Sequence, residues 1–168
     1  KRHNGAIKVW STGGQGTVFR IMLPIGQIPS ANKPAPPAPE RNARPCSVLL
    51  VDDDSLVRDT IENILRTNGC TVTPTAGGTE ALQLIRAGRA FDVILIDLTM
   101  PIIGGAEISR TLRTLGCRAG ILLMSGYSPS VLEKGPQELG ADGFIQKPFT
   151  AGQLMAAIEA VRAASFGS

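Results

Sequence analysis

Val93-Ile94-Leu95-Ile96-Asp97-Leu98-Thr99-Met100-Pro101 decides the fold. Four apolar residues, mostly β-branched, run straight into one carboxylate, and Met-Pro follows, which cannot continue a strand ladder. An unbroken apolar run of this length reads as a central strand covered on both faces, as in a parallel sheet. Such strands end where ligands bind, outside the carboxyl edge of the sheet. Asp97 is therefore expected at the mouth of a pocket. Its alternative role is to cap the loop that follows.

Working outward, the chain from Cys46 alternates strand and helix. Ser47 to Val51 is an apolar strand. Val57, Ile61, Ile64 and Leu65 share one helical stripe, which Asn68-Gly69 stops. Thr71 to Pro74 is a short strand, with Pro74 near an edge. Thr79 is placed to N-cap a helix carrying Ala81, Leu82 and Ile85 and ended by Gly88. Beyond Asp97 comes a helix with Ile108, Leu112 and Leu115 inward, stopped by Gly116. Gly120 to Met124 is the fourth strand. Pro129 to Leu139 reads as an irregular helix broken at Gly135-Pro136, and Ala141 to Gln146 as the fifth strand. Thr150 caps a last helix with Leu154, Ala157, Ile158 and Val161 inward. Five such units with short loops predict an α/β fold, a doubly wound five-stranded parallel sheet with helices on both faces.

In that sheet the strand ends converge on one edge. The first ends in Asp52-Asp53-Asp54, the third in Asp97, the fourth in Ser125 and the fifth in Lys147-Pro148. Two carboxylates about 4 Å apart repel by roughly 4 kcal/mol at an effective dielectric near 20. Such a cluster needs a counter-charge or a raised pKa. Oxygen ligands in this number suit Mg²⁺, which takes few carboxylates and keeps several waters. Lys147 adds a fixed positive charge. Metal, ammonium and hydroxyl around one carboxylate describe a phosphoryl site in which Asp97 attacks phosphorus. Ser125 would donate to a phosphoryl oxygen, and the carbonyl of Thr99 could complete the metal shell. The blander readings are that Asp52, Asp53 and Asp54 cap the first helix, that Lys147 is a loop lysine and that Ser125 is a turn residue.

These residues resemble the receiver domain of two-component response regulators, from about Cys46 to Ala164. The resemblance places the phosphoacceptor on Asp97, the metal-binding acids on Asp52 and Asp53, the switch hydroxyl on Ser125 and the phosphate-binding lysine on Lys147. The family's switch aromatic falls on Phe144, which lacks the hydroxyl of a tyrosine. Met124-Ser125-Gly126-Tyr127 is similar to receivers attached to hybrid histidine kinases. The implied partner is a histidine kinase or histidine phosphotransfer domain, with a homodimer as a further option. The implied output surface is the last helix–strand–helix face.

Residues 1–25 have another character. Ala6 to Ser11 and Thr17 to Pro24 alternate around Gly13-Gly14-Gln15-Gly16, which predicts a β-hairpin. An isolated hairpin is marginal in water, so it reads as part of a larger sheet. Arg2-His3-Asn4-Gly5-Ala6-Ile7, Gly14-Gln15-Gly16-Thr17-Val18-Phe19 and Leu23-Pro24 resemble the closing end of a histidine-kinase ATP-binding domain. The nucleotide-binding asparagine and the earlier glycine box are expected upstream of Lys1, so no ATP binding or kinase activity is expected here. Residues 26–45 are a proline-rich linker, and residues 46–168 are the receiver.

Composition fits this division. The basicity resides in residues 1–45, which carry seven Lys or Arg against Glu40 and a charge of +6, while residues 46–168 carry ten basic and thirteen acidic residues and a charge of −3. No basic face or helix-turn-helix supports a nucleic-acid partner. Hydrophobic content is 43% and aromatic content 4%, so the core is aliphatic. No stretch is apolar for a membrane-spanning length and no leader is evident, which predicts a cytoplasmic piece without membrane contact of its own. Cys46, Cys70 and Cys117 lack metal-ligand spacing and read as buried thiols in a reducing compartment. An aspartyl-nucleophile phosphatase of the haloacid-dehalogenase type is the enzymatic alternative, since Asp52-Asp53-Asp54 contains D-x-D. It needs a late acidic pair, and only Glu159 follows Lys147. A receiver-shaped interaction module that is never phosphorylated is the third reading.

Overall fold

In this computed structural model the described residues are 6–12, 14, 16–22, 46–127 and 135–166. Contacts divide the chain into two units, Lys1–Asn42 and Ala43–Ser168.

In the first unit, strands β1 (Ala6–Thr12) and β2 (Gly16–Met22) pair antiparallel, Ala6 opposite Met22 and Thr12 opposite Gly16. The period of two puts Ile7, Val9, Phe19 and Ile21 on one face, and all four are exposed. The Arg20 guanidinium lies 5.2 Å from the centre of the Trp10 ring. The expectations for Arg2 to Gly5, for Leu23-Pro24 and for the linker fall outside the described residues.

In the second unit the parallel sheet is β3 (Ser47–Val51), β4 (Thr71–Thr75), β5 (Val93–Asp97), β6 (Gly120–Ser125) and β7 (Gly143–Gln146). Its spatial order is β4-β3-β5-β6-β7, which in the unit's own strand count is 2-1-3-4-5. Pro74 lies on the edge strand, where its missing N–H does least harm. The apolar strands alternate between two cores. Val48, Leu50, Val93, Leu95, Leu122 and Met124 pack under α1 (Ser55–Thr67) and α4 (Ala151–Phe166). Leu49, Val51, Ile94, Ile96, Ile121 and Leu123 pack under α2 (Gly78–Arg86) and α3 (Gly105–Thr114). Helices cover both faces, which is why these strands are apolar at every position.

The helix stripes largely follow the expected periodicity, with Ile61, Leu65, Ala81, Leu82, Ile108, Leu112, Leu154, Ile158 and Val161 buried. α4 opens on a reciprocal cap: Thr150 Oγ1 accepts from the Gln153 N–H at 3.3 Å, and Gln153 Oε1 accepts from the Thr150 N–H at 2.8 Å. Gly120 lies directly beneath α4, so that a Cβ on it would stand 2.7 Å from the Val161 carbonyl oxygen.

Four expectations change. α2 starts at Gly78 with Gly77 as N-cap, so Thr79 is inside the helix and caps nothing. Leu115 is the C-cap of α3 and is 43% exposed, having run past the last inward turn. Within the expected helix from Pro129 to Leu139, the described part holds a 3-10 turn at Gln137–Leu139, and residues 129–134 lie outside the described set. Cys46 and Cys70 are buried but Cys117 is only half-buried, and all three are free thiols. Burial pushes Cys46 up to about 12 and raises Cys70 as well. Among the described residues no helix is long and apolar enough to cross a membrane.

Candidate functional site

Every strand that points at the site does so with its carboxyl end. β5 is buried throughout and delivers Asp97 with 6% of its surface exposed. Directly after β3 comes Asp52, 1% exposed, with Asp53 and Asp54 exposed beyond it. β6 ends in fully buried Ser125. Past β7 stands Lys147, whose N–H donates to the Ser125 carbonyl at 2.7 Å and so ties the two strand ends together.

The centre of the site is one ammonium between two carboxylates. Lys147 Nζ donates to Asp52 Oδ2 and to Asp97 Oδ1, each at 2.9 Å. The second oxygens are also held: Asp52 Oδ1 accepts from the Asp54 N–H and Asp97 Oδ2 from the Thr99 N–H, both at 3.0 Å. Burial raises the Asp52 carboxyl above its ordinary value, against the hydrogen bond and charge of Lys147, which lower it, and with a smaller raising push from Asp97. For Lys147 burial acts downward, but its bonds to Asp52 and Asp97 outweigh that and its pKa is raised. Burial, more than the neighbouring charge, is what raises Asp52 beside its own cation.

Asp53 is exposed and neither bonds nor pairs among the described residues. It borders a cleft of about 220 Å³ together with Gly77, Gly78, Met100 and Pro101, beside the loop that carries Thr99. Among the described residues no three His, Cys, Asp or Glu side chains stand together as a ready metal cluster. Asp52 and Asp97 meet across Lys147, and Asp53 stands apart from them. The donor chemistry nonetheless fits a hard divalent cation. Two buried carboxylates share one ammonium, and the nearby Asp53 carboxylate is unencumbered among the described residues.

Asp54 does cap α1, as the blander reading held: its Oδ1 accepts from the N–H of Leu56 at 2.9 Å and of Val57 at 3.2 Å. That role does not extend to Asp52. Ser125 Oγ accepts from the Tyr127 N–H at 3.0 Å, a turn bond that leaves its own proton available. Phe144 is half-buried against the α2/α3 core. The Lys147–Pro148 peptide is cis.

Two participants escaped the sequence reading. Arg58 donates from Nη1 to the Asp52 carbonyl at 2.6 Å; its signal was an arginine on the second turn of a helix that starts beside the acids. Gly105 packs against the backbone of Asp97, where a Cβ would stand 2.3 Å from the Asp97 carbonyl oxygen and 2.9 Å from Leu98 Cα.

Strand order and the acid–lysine–acid bridge at the carboxyl edge define a flavodoxin-like α/β protein with an aspartate-centred site. The chain belongs to the response regulator receiver domain family, whose family model matches residues 48–159. It is similar to the response regulator MprA of Mycolicibacterium vanbaalenii, 34% identical over 117 residues, which are 70% of this chain and 50% of that protein. The MprA of Mycobacterium ulcerans is 34% identical over 114 residues, 68% of this chain and 49% of that protein. The chain thus spans about half the length of the curated relatives it matches. Among solved structures it is similar to the chemotaxis response regulator CheY4 of Vibrio cholerae, with TM-score 0.62, 31% identity, and coverage of 70% of this chain and 99% of that one. The response regulator TrrA of Thermotoga maritima, solved in complex with Mg(2+)-BeF, has TM-score 0.62, 26% identity, and coverage of 69% and 98%. The chain therefore carries a receiver domain of two-component signalling, which is a signalling domain and not a catalytic enzyme. The phosphatase alternative gives way to that assignment.

Proposed function

We propose that Asp97 is the phosphoacceptor, taking phosphoryl from a phosphohistidine on a histidine kinase or histidine phosphotransfer domain. The observation that carries this reading is the Lys147 ammonium, 2.9 Å from both Asp97 Oδ1 and Asp52 Oδ2. It holds the attacking carboxylate in one orientation and offers positive charge where phosphoryl oxygens arrive. An Asp97 oxygen forms the new bond to phosphorus, the phosphorus–nitrogen bond of phosphohistidine breaks, and the imidazole leaves with the electron pair and takes up a proton.

Asp52, Asp53, Asp97 and the Thr99 carbonyl would hold Mg²⁺. When bound, the ion neutralises charge on the phosphoryl oxygens. Ser125 turns its free hydroxyl proton to a phosphoryl oxygen, and Ser125 with Phe144 relays the change to the face built from the last helix–strand–helix. Three large apolar side chains stand exposed on segments that open from this edge: Leu56 on α1, Ile102 after β5 and Tyr127 after β6. They supply a rim on which a donor protein can seat.

Acetyl phosphate with Mg²⁺ tests the reading. Intact mass should show one hydroxylamine-labile phosphoryl group on the wild type and on Asp54→Asn, and none on Asp97→Asn. Labelling of Asp97→Asn at the wild-type level overturns the assignment.

For the whole chain the reading is a cytoplasmic hybrid histidine kinase fragment: residues 1–25 as the end of an ATP-binding domain, 26–45 as linker and 46–168 as receiver. The two-strand pairing from Ala6 to Met22, with its apolar side chains uncovered, supports this. The encoding reading frame tests it. A glycine box and nucleotide-binding asparagine upstream in frame carry the reading, and a frame without them sinks it.

A further inference from the structure

We infer that Arg58 is a positioning residue for divalent-cation binding, acting through the peptide that joins Asp52 to Asp53. The inference rests on the proposed reading of Asp53 as a metal ligand. Asp52 and Asp54, on either side of Asp53, are held through both backbone and side chain. The Asp52 N–H donates to the Thr75 carbonyl at 3.3 Å. Asp52 Oδ1 and Oδ2 are taken by the Asp54 N–H and by Lys147. Asp54 caps α1 through Oδ1, and its carbonyl accepts from the Arg58 N–H at 2.9 Å. The Asp52 carbonyl remains, and Arg58 Nη1 takes it at 2.6 Å.

That carbonyl belongs to the planar peptide linking Asp52 to Asp53. Its direction sets the φ of Asp53 and hence where the Asp53 carboxylate emerges. Asp53 has no hydrogen bond of its own among the described residues to orient it. The guanidinium is half-buried and reaches back from the second turn of a helix whose first turn is already capped. Its anchor is therefore rigid relative to the acids. A partner outside the ligand shell that orients a ligand in this way typically costs an order of magnitude or more in metal affinity when removed.

Charge and position predict opposite signs, which makes the inference sharp. Arg58 is a cation near three acids, so charge alone says that removing it tightens the binding of a second cation. Orientation says that removing it loosens binding.

The test measures Mg²⁺ affinity by titration calorimetry on the whole chain, with unfolding midpoints in urea recorded for each variant. Arg58→Gln and Arg58→Lys should each weaken Mg²⁺ by roughly tenfold, because lysine keeps the charge but lacks the outer Nη1 that reaches the carbonyl. In the metal-free protein the Asp53 amide nitrogen resonance should move in both variants. Unchanged Mg²⁺ affinity with lowered unfolding midpoints would show a merely structural arginine and overturn the inference. Tighter binding in Arg58→Gln with no change in Arg58→Lys would overturn it in favour of charge alone. Asp53→Asn separates the two levels. If it binds Mg²⁺ as the wild type does, the metal reading itself falls and takes the inference with it. If it loses Mg²⁺ while the Arg58 variants keep theirs, only the inference falls.

Discussion

Lys147 reaches across fifty residues of sequence to place its ammonium 2.9 Å from Asp97 Oδ1, while keeping 24% of its side chain exposed against 8% for the aspartate. The pair is thus open to solvent on the lysine side and closed on the carboxylate side.

Lys147→Met leaves Asp52 and Asp97 buried without their shared partner. An uncompensated buried charge of this kind costs about 3 kcal/mol. The unfolding free energy in urea at pH 7 should fall by that order. The raised pKa of Lys147 means its contribution is full below the ordinary lysine value and fades as pH climbs through the folded one. At pH 4, where Asp52, its pKa raised by burial, takes up its proton, the loss should shrink. A loss as large at pH 4 as at pH 7 would contradict the bridge.

Asp52→Asn should stabilise the metal-free chain. Burial raises the Asp52 pKa in the folded state, so the folded chain holds this proton more tightly than the unfolded one. Its contribution therefore falls as pH rises from the ordinary carboxylate value through the raised one. Asparagine removes that penalty and keeps one acceptor oxygen, which can serve Lys147 or the Asp54 N–H but not both. A gain is expected at pH 7, where the unfolded carboxyl has lost its proton freely and the buried one has not. The gain should vanish below pH 4, and a gain independent of pH would refute the burial argument.

Gly105→Ala puts a methyl 2.3 Å from the Asp97 carbonyl oxygen and 2.9 Å from Leu98 Cα. Both obstacles are backbone, so relief requires moving either α3 or the end of β5. Overpacking of this kind costs about 1–3 kcal/mol. Thermal unfolding should show the loss, and acetyl phosphate labelling of Asp97 should slow with it. Labelling at the wild-type rate would mean that the strain is absorbed by α3.

Ile102 sits at φ 73° with 99% of its surface exposed. A β-branched residue in the left-handed region is strained, and this one buries nothing in return. Ile102→Asn suits the backbone and should raise the unfolding free energy by about 1 kcal/mol. Asparagine also removes an apolar tip from the rim. Phosphorylation by acetyl phosphate should be unchanged, while transfer from a phosphohistidine protein should weaken if the rim seats it.

What could be read from the sequence, and what could not, separates along one physical line. Strand positions and the convergence of Asp52, Asp97, Ser125 and Lys147 follow from periodicity and from the rule that parallel strands share a carboxyl edge. Both are properties of the local chain plus one topology. The start of α2 depends instead on a tertiary contact. A Cβ on Gly78 would lie 2.3 Å from Ile108 Cδ1 on α3, so the first turn is set by its neighbour and Thr79 has no end to cap. Leu115 matched the stripe of α3, but the helix stops before Leu115 can complete another inward turn. Arg58 stood near the acids in sequence, but its partner is a backbone carbonyl, which no residue type marks, so only the structure shows the bond.

The contact of Gly120 with the Val161 carbonyl has a mechanical meaning. With main chain resting on main chain, the final helix has no cushion of side chains at that level. It cannot sink toward β6 or slide along it without collision. Tilting away as a unit, pivoting where strand and helix touch, is the movement left to it. Any displacement of that helix against β6 has this contact as its fulcrum.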